Sequence, residues 1–219
     1  MAQLFRPGAN ALLRIALAAL LLAPIGAALL AGAVVRSPYV TGQGRFVDQP
    51  VPFSHKHHVG ELGIDCRMCH FGVETGARAI VPPAKVCMTC HSQIWTNADM
   101  LAPVRTSFAE GRPIAWSRVN RLPDYAYFDH HVHVNNGVPC AGCHGAVDDM
   151  PLVRQATPMT MAWCLDCHRD PASRLVPQAR VYDPRPYAKP LDPREAALVH
   201  AKLAALDVRR LTDCTTCHR

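Results

Sequence analysis

Ten cysteines and five histidines of this 219-residue chain fall into one repeated spacing. The strings are Cys66-Arg-Met-Cys69-His70, Cys87-Met-Thr-Cys90-His91, Cys140-Ala-Gly-Cys143-His144, Cys164-Leu-Asp-Cys167-His168 and Cys214-Thr-Thr-Cys217-His218. Cys-x-x-Cys-His is the spacing of covalent c-type haem attachment, with two thioether cysteines and a proximal histidine ligand to iron. At this composition chance supplies roughly 0.02 such strings in the whole chain. No cysteine lies outside them, so a disulfide framework has nothing to build with. Structural zinc would gather four ligands and would not place a histidine after every second cysteine. The expected cofactor set is five haem c groups.

Haem iron chemistry turns on the sixth ligand: a second protein ligand closes the site for electron transfer, and an open position admits substrates. Seven histidines lie outside the strings, at 55, 57, 58, 130, 131, 133 and 200. An internal repeat sorts them. Phe53-Ser-His55-Lys-His57-His58-Val59 matches Phe128-Asp-His130-His131-Val-His133-Val134, and each copy precedes two haem strings. Residues 53–91 and 128–168 are therefore two versions of one two-haem unit. The distances from His55 to Cys66 and from His130 to Cys140 differ by one residue. His55 aligns with His130 and His58 with His133. Positions i and i+3 share one side of a helical turn, so each turn can serve two neighbouring haems. His55, His58, His130 and His133 are the expected distal ligands. His57 and His131 are histidine in one copy only, and fit surface or propionate-pairing positions. For the fifth haem the distal ligand is His200 or a methionine, with Met161 the leading candidate among Met150, Met159 and Met161; a methionine would raise that haem's potential.

The elements that position these residues are expected to be mostly loops and short α-helices around haems, with no substantial sheet. Nineteen prolines limit helix and strand, and the macrocycles would supply much of the apolar core. Residues 1–14 precede an uncharged apolar stretch, Ile15 to Val35, which as a helix covers about 31 Å, close to the hydrocarbon thickness. Arg6 and Arg14 ahead of it put the N-terminus in the cytoplasm. Ala31-Gly32-Ala33 resembles a signal-peptidase site, but the stretch exceeds the usual signal core. The expectation is one transmembrane anchor in a bacterial inner membrane, with the haem domain periplasmic. Residues 36–175 then form a four-haem domain, 176–193 a proline-rich extended arm, and 194–219 a helix, expected to reach residue 211, with the fifth string. The formal charge of +6 does not argue for nucleic acid, since ten propionates would bring it to about −4.

Taken together, the residues resemble the pentahaem membrane-anchored cytochrome c subunit of alternative complex III. The stretches that carry the resemblance are Phe53-Ser-His-x-x-His-Val, Asp65-Cys-Arg-x-Cys-His, Trp116-x-Arg-Val, Leu122-Pro-Asp, Tyr127-Phe-x-His, Cys143-His-Gly, Met161-x-Trp-Cys-Leu-Asp-Cys-His-Arg169 and Leu211-Thr-Asp-Cys-x-x-Cys-His-Arg219. The resemblance implies a relay subunit of a quinol:electron-acceptor oxidoreductase, not itself an enzyme. It implies quinol-binding membrane subunits, a large iron–sulfur subunit and a monohaem cytochrome c subunit as partners, and a soluble acceptor downstream. Two other readings stand beside it. A stand-alone quinol dehydrogenase of the small tetrahaem type also has a single anchor, but four strings do not predict this repeat with a fifth. A multihaem enzyme such as a nitrite reductase calls for an open haem, often with lysine in place of a string histidine.

Overall fold

The computed structural model describes residue 6 and residues 8–218. The segment 1–14 lies partly outside the described residues, and Arg219 of the terminal motif wholly so. Two units separate, residues 1–42 and 43–219.

The first unit is α1 (Ala9–Arg36) and a short α2 (Pro38–Thr41). Between Arg14 and Arg36 every side chain is uncharged, and none in α1 is buried. The helix has a mean hydropathy of 2.3 over its most apolar window and is long enough to cross a membrane. It runs through Pro24 and ends at Ser37, whose extended backbone precedes Pro38.

The second unit contains every haem string. Helices are short: α3 (Cys66–Cys69), α4 (Ala84–His91), α5 (Ala102–Glu110), α6 (His130–Asn135), α7 (Cys140–His144), α8 (Met161–Arg169), α9 (Pro193–Ala205) and α10 (Cys214–Cys217). Pairing of extended backbone among the described residues is limited to a single isolated bridge, Phe46 with Arg154. The architecture is helical with no sheet. Buried apolar side chains gather in two small clusters. Val51, Ala84, Leu101 and Val104 form one, and Val73, Val134, Val176 and Val181 the other. Among the described residues, Val104, Val181 and Pro139 are the largest side chains that are fully enclosed. That is a thin polypeptide core for 177 residues, and matches a fold organised around large apolar cofactors.

The two repeat units hold each other reciprocally. In the second unit, Ala77 of the first accepts a hydrogen bond from the His130 N–H (3.0 Å), and Glu74 C=O accepts one from Asn135 Nδ2 (2.9 Å). In the first unit, Met150 of the second accepts from the Lys56 N–H (3.0 Å). Each distal-histidine turn is thus docked on the segment that follows the other unit's first string.

The one-residue difference between the units has a structural expression. His130 begins an α-helix, whereas Lys56–Glu61 is a π-helix, with the Leu62 N–H donating to His57 C=O. A π turn takes up one residue more than an α turn, which accommodates the longer path from His55 to Cys66.

Two segments differ from the sequence expectation. Residues 176–193 do not run out as an extended arm. Val176 N–H donates to Gly137 C=O (2.9 Å), Val181 C=O accepts from the Cys140 N–H (3.1 Å), and Val176 and Val181 are core residues. Proline limits the helix here but leaves these β-branched side chains free to bury. Gly137 permits the approach: its φ is +86°, and a Cβ there would sit 2.5 Å from the Val176 carbonyl oxygen. The helix expected to reach residue 211 stops at Ala205. Its start is strong, with Pro193 at the first turn and a capping box in which Asp192 and Glu195 satisfy each other's N–H groups. A 3-10 turn (Arg210–Thr212) replaces its expected end and frees the Leu211 carbonyl for a contact described below.

Candidate haem sites

Each string is, or closes, a short helix, so its two cysteines lie three apart on one side of a turn. Asp65 caps α3 by accepting from the Arg67 N–H (2.8 Å), and Thr160 caps α8 through the Trp163 N–H. All ten thiols are free of disulfides.

Across from four string histidines stands a second imidazole. His55 faces His70 with ring centres 6.4 Å apart and planes at 1°, and His130 faces His144 at 6.4 Å and 5°. His58 lies 6.2 Å from His91 at 64°, and His133 lies 6.0 Å from His168 at 38°. A metal–imidazole bond of about 2.0–2.1 Å, plus roughly 1.2 Å from nitrogen to ring centre on each side, puts two trans rings about 6.4 Å apart. The four pairs have the separation that one iron between two imidazoles requires.

The pairing follows the repeat. The first histidine of each Phe-x-His-x-x-His turn meets its own unit's first string, and the second histidine meets the second string. The phenylalanine separates them: Phe53 stacks on His58 at 4.3 Å and meets His55 edge-on at 4.9 Å, and Phe128 repeats this with His133 (4.5 Å) and His130 (4.8 Å).

A histidine that binds metal through Nε2 presents Nδ1–H to an acceptor, which fixes tautomer and ring plane. Among the proximal histidines, Nδ1 of His70 meets Ile80 C=O at 2.7 Å, His91 meets Ile94 C=O at 3.2 Å, His168 meets Leu211 C=O at 2.8 Å and His218 meets Tyr125 C=O at 3.0 Å. Among the distal ones, His58 meets Ser54 C=O at 2.9 Å, His130 meets Ala77 C=O at 3.0 Å and His133 meets Asp129 C=O at 2.7 Å. His144 meets the Asn120 side chain at 3.2 Å. His55 Nδ1 is buried without a partner; the Met150 carbonyl is taken by the Lys56 N–H one residue later. Burial, and after it the neighbouring His70, pushes His55 down to about 4, so its ring is neutral, the form in which imidazole ligates a metal. Burial and then His130 do the same to His144.

His57 and His131 are placed differently. His57 Nδ1 lies 2.8 Å from Glu61 and His131 Nδ1 2.5 Å from Asp129, both on exposed side chains paired with a carboxylate. His218 has Tyr125 as ring neighbour at 5.9 Å, and among the described residues no imidazole faces it as in the four pairs. His200 is exposed on α9, and Met161 is 62% exposed at the start of α8.

The strings also have a spatial order. Burial raises the Cys69 thiol, and Cys87, Cys66 and Cys90 beside it add to the rise. Cys66 lies beside Cys140, its Sγ donating to the Tyr182 carbonyl at 3.6 Å. Burial raises Cys143 to about 11, with Cys167 and Cys164 contributing, and Cys164 in turn neighbours Cys217. Adjacent strings therefore run second, first, third, fourth, fifth.

Residues 126–219 match a family model described as cytochrome c7 and related cytochrome c. This part of the chain is therefore similar to cytochrome c7-like multihaem domains. Over 98 residues the chain is 33% identical to the multihaem cytochrome c subunit of menaquinone reductase from Nitratidesulfovibrio vulgaris strain Hildenborough. The match covers 44% of this chain and 46% of that relative, so it spans less than half of the relative's length. The five strings, the histidine pairs and the helical architecture agree with this similarity to multihaem c-type cytochromes.

Sequence reasoning missed Asn120 and the carbonyls of Ala77, Ile80, Tyr125 and Leu211. Every residue offers a carbonyl, so these acceptors have no sequence signal. Asn120 lies in a joining segment with no counterpart inside the first repeat.

Proposed function

We propose that this cytochrome is the electron-relay subunit of a quinone-linked membrane complex, carrying five haem c groups in the quinol-oxidising direction of alternative complex III. The observation that carries the reading is the set of four histidine pairs at 6.0–6.4 Å. When bound, haem c supplies reversible one-electron Fe(III)/Fe(II) chemistry. The residues that would hold it are the ten string cysteines, proximal His70, His91, His144, His168 and His218, and distal His55, His58, His130 and His133. The protein's part would be to offer each of four irons a string histidine and a second histidine, and to hold neighbouring sites beside one another. α1 serves as a single inner-membrane anchor with the haem domain periplasmic, which is where c-type haem is attached. The quinol-binding membrane subunits, the iron–sulfur subunit and the monohaem cytochrome c would be its partners.

The match to a menaquinone reductase subunit favours a second reading, in which the same relay delivers electrons to a quinone pool. Mild detergent extraction followed by protein identification, with haem reduction tested by added menaquinol, separates the two. Co-purified quinol-binding and iron–sulfur subunits with rapid reduction of the haems by quinol support the first reading. Haem oxidation by added menaquinone, without reduction by the quinol, supports the second. A chain that purifies alone and is reduced directly by quinol would instead make it a stand-alone quinol dehydrogenase.

A further inference from the structure

Asn120 stands apart from the other partners of the proximal histidines. Four of those five rings place Nδ1 against a main-chain carbonyl, and His144 alone places it against a side chain. Asn120 Nδ2 lies 3.2 Å from His144 Nδ1, while Asn120 Oδ1 is buried with no partner. The His130 ring lies 6.4 Å from that of His144 and parallel to it within 5°, and with Nδ1 on Asn120 it is Nε2 that would hold iron on the ligation reading. With Nε2 on a metal, neutral imidazole carries its proton on Nδ1, and a donor cannot face a donor. A half-turn of the amide resolves this: Oδ1 then accepts from Nδ1–H, and the amide hydrogens move to the buried position that suits a bridging water.

We infer that Asn120 is the positioning residue of the third haem site, fixing the tautomer and plane of His144 and setting the potential of that centre through the hydrogen bond to Nδ1. This rests on the reading of His144 and His130 as axial ligands. The physical basis is that an acceptor on Nδ1–H gives the ring anionic character and makes it a stronger donor to iron, favouring the oxidised state. Main-chain carbonyls at the other four sites cannot be removed by substitution. The third site, central in the order of strings, is the one whose potential a single side chain sets.

The test uses the haem-loaded full chain in detergent. Asn120→Leu keeps size and removes the acceptor; Asn120→Asp supplies a stronger, charged acceptor. In a redox titration, one midpoint of the set should move up in Asn120→Leu and down in Asn120→Asp, the others staying in place. Loss of such a partner is worth about tenfold or more, so the reduced-to-oxidised ratio of that centre at fixed potential should change about tenfold, ~59 mV for one electron. A packing role would move both variants the same way. Should Asn120→Leu fail to load haem, nuclear magnetic resonance of the unaltered protein decides. A hyperfine-shifted, exchange-protected His144 Nδ1–H that cross-relaxes with the Asn120 side chain supports the proposal, and its absence overturns it. Unchanged midpoints in both variants also overturn it while leaving the ligation intact. A native spectrum without low-spin bis-histidine signals would instead overturn the ligation reading.

Discussion

Replacing His130 and, separately, His131 with alanine discriminates a closed electron carrier from an open haem enzyme. The two are adjacent and both are imidazoles, yet the structure gives them different surroundings. His130 faces His144 at 6.4 Å, and its Nδ1 is held by Ala77 C=O. His131 points to Asp129, with 40% of its side chain exposed. On the proposed ligation by five haems, His130→Ala would remove one of two protein ligands from one centre. The neighbouring pair is held independently, since His133 Nδ1 bonds Asp129 C=O and keeps its stacking on Phe128. One centre in five, about 20% of the haem, should therefore become five-coordinate and high-spin and bind carbon monoxide when reduced. His131→Ala removes a surface pair worth ~0–1 kcal/mol and leaves the Asp129 cap of α6 intact, so its spectrum should match the parent. The assay is carbon monoxide difference spectroscopy of the reduced protein, scaled to total haem by pyridine haemochrome. Carbon monoxide binding in His131→Ala but not in His130→Ala would put the repeat in the wrong register. Binding at four or more centres of the unaltered protein would refute the closed-carrier argument altogether.

The fifth site can be assigned by spectrum: if Met161 is its distal ligand, a weak sulfur-to-iron band near the red end of the oxidised spectrum should vanish in Met161→Leu and persist in His200→Ala, and the reverse dependence, on His200, would show as a new high-spin centre in His200→Ala only. At Gly60 a Cβ would run into the Asp148 carbonyl, so Gly60→Ala should lower stability by about 1–3 kcal/mol, roughly 2–12 °C in Tm, with the His55 and His58 centres disturbed and those of the second unit unchanged; an unaltered melting curve would remove the close packing of the π-helix on the 147–149 turn.

Much of this fold was readable because its constraints are covalent or periodic. Cys-x-x-Cys-His fixes where haem is attached, and the Phe-x-His-x-x-His repeat put four histidines on two turns, which the structure sets opposite His70, His91, His144 and His168. The apolar run from Ile15 to Val35 likewise predicts a long helix, and α1 extends it to Ala9–Arg36. What was illegible depends on the main chain or on tertiary packing. The acceptors for Nδ1 are carbonyls whose side chains are irrelevant. Proline content at 176–193 reports limited helix, but not that Val176 and Val181 bury against Val73 and Val134. The early end of α9 is set by a distant demand: Leu211 C=O is required by His168, 43 residues back.

The comparison of the two repeat units shows what the fold holds constant. One unit uses a π-helix and the other an α-helix, and one has an extra residue, so their backbones cannot superpose through the turn. Yet the first pairs share a separation of 6.4 Å with near-parallel rings, and the phenylalanine contacts agree within 0.2 Å. The backbone yields and the imidazoles do not. The ring planes of the outer pairs, by contrast, differ, at 64° and 38°. The inner sites, first and third, are therefore the matched pair: they lie across the contact between units, with Cys66 beside Cys140. The outer sites are free to diverge toward different neighbours, the second at one end of the line and the fourth beside the fifth string. In the proposed relay, the inner sites would be alike and the outer ones distinct. An internal duplication that docks unit on unit supplies that arrangement directly from the sequence.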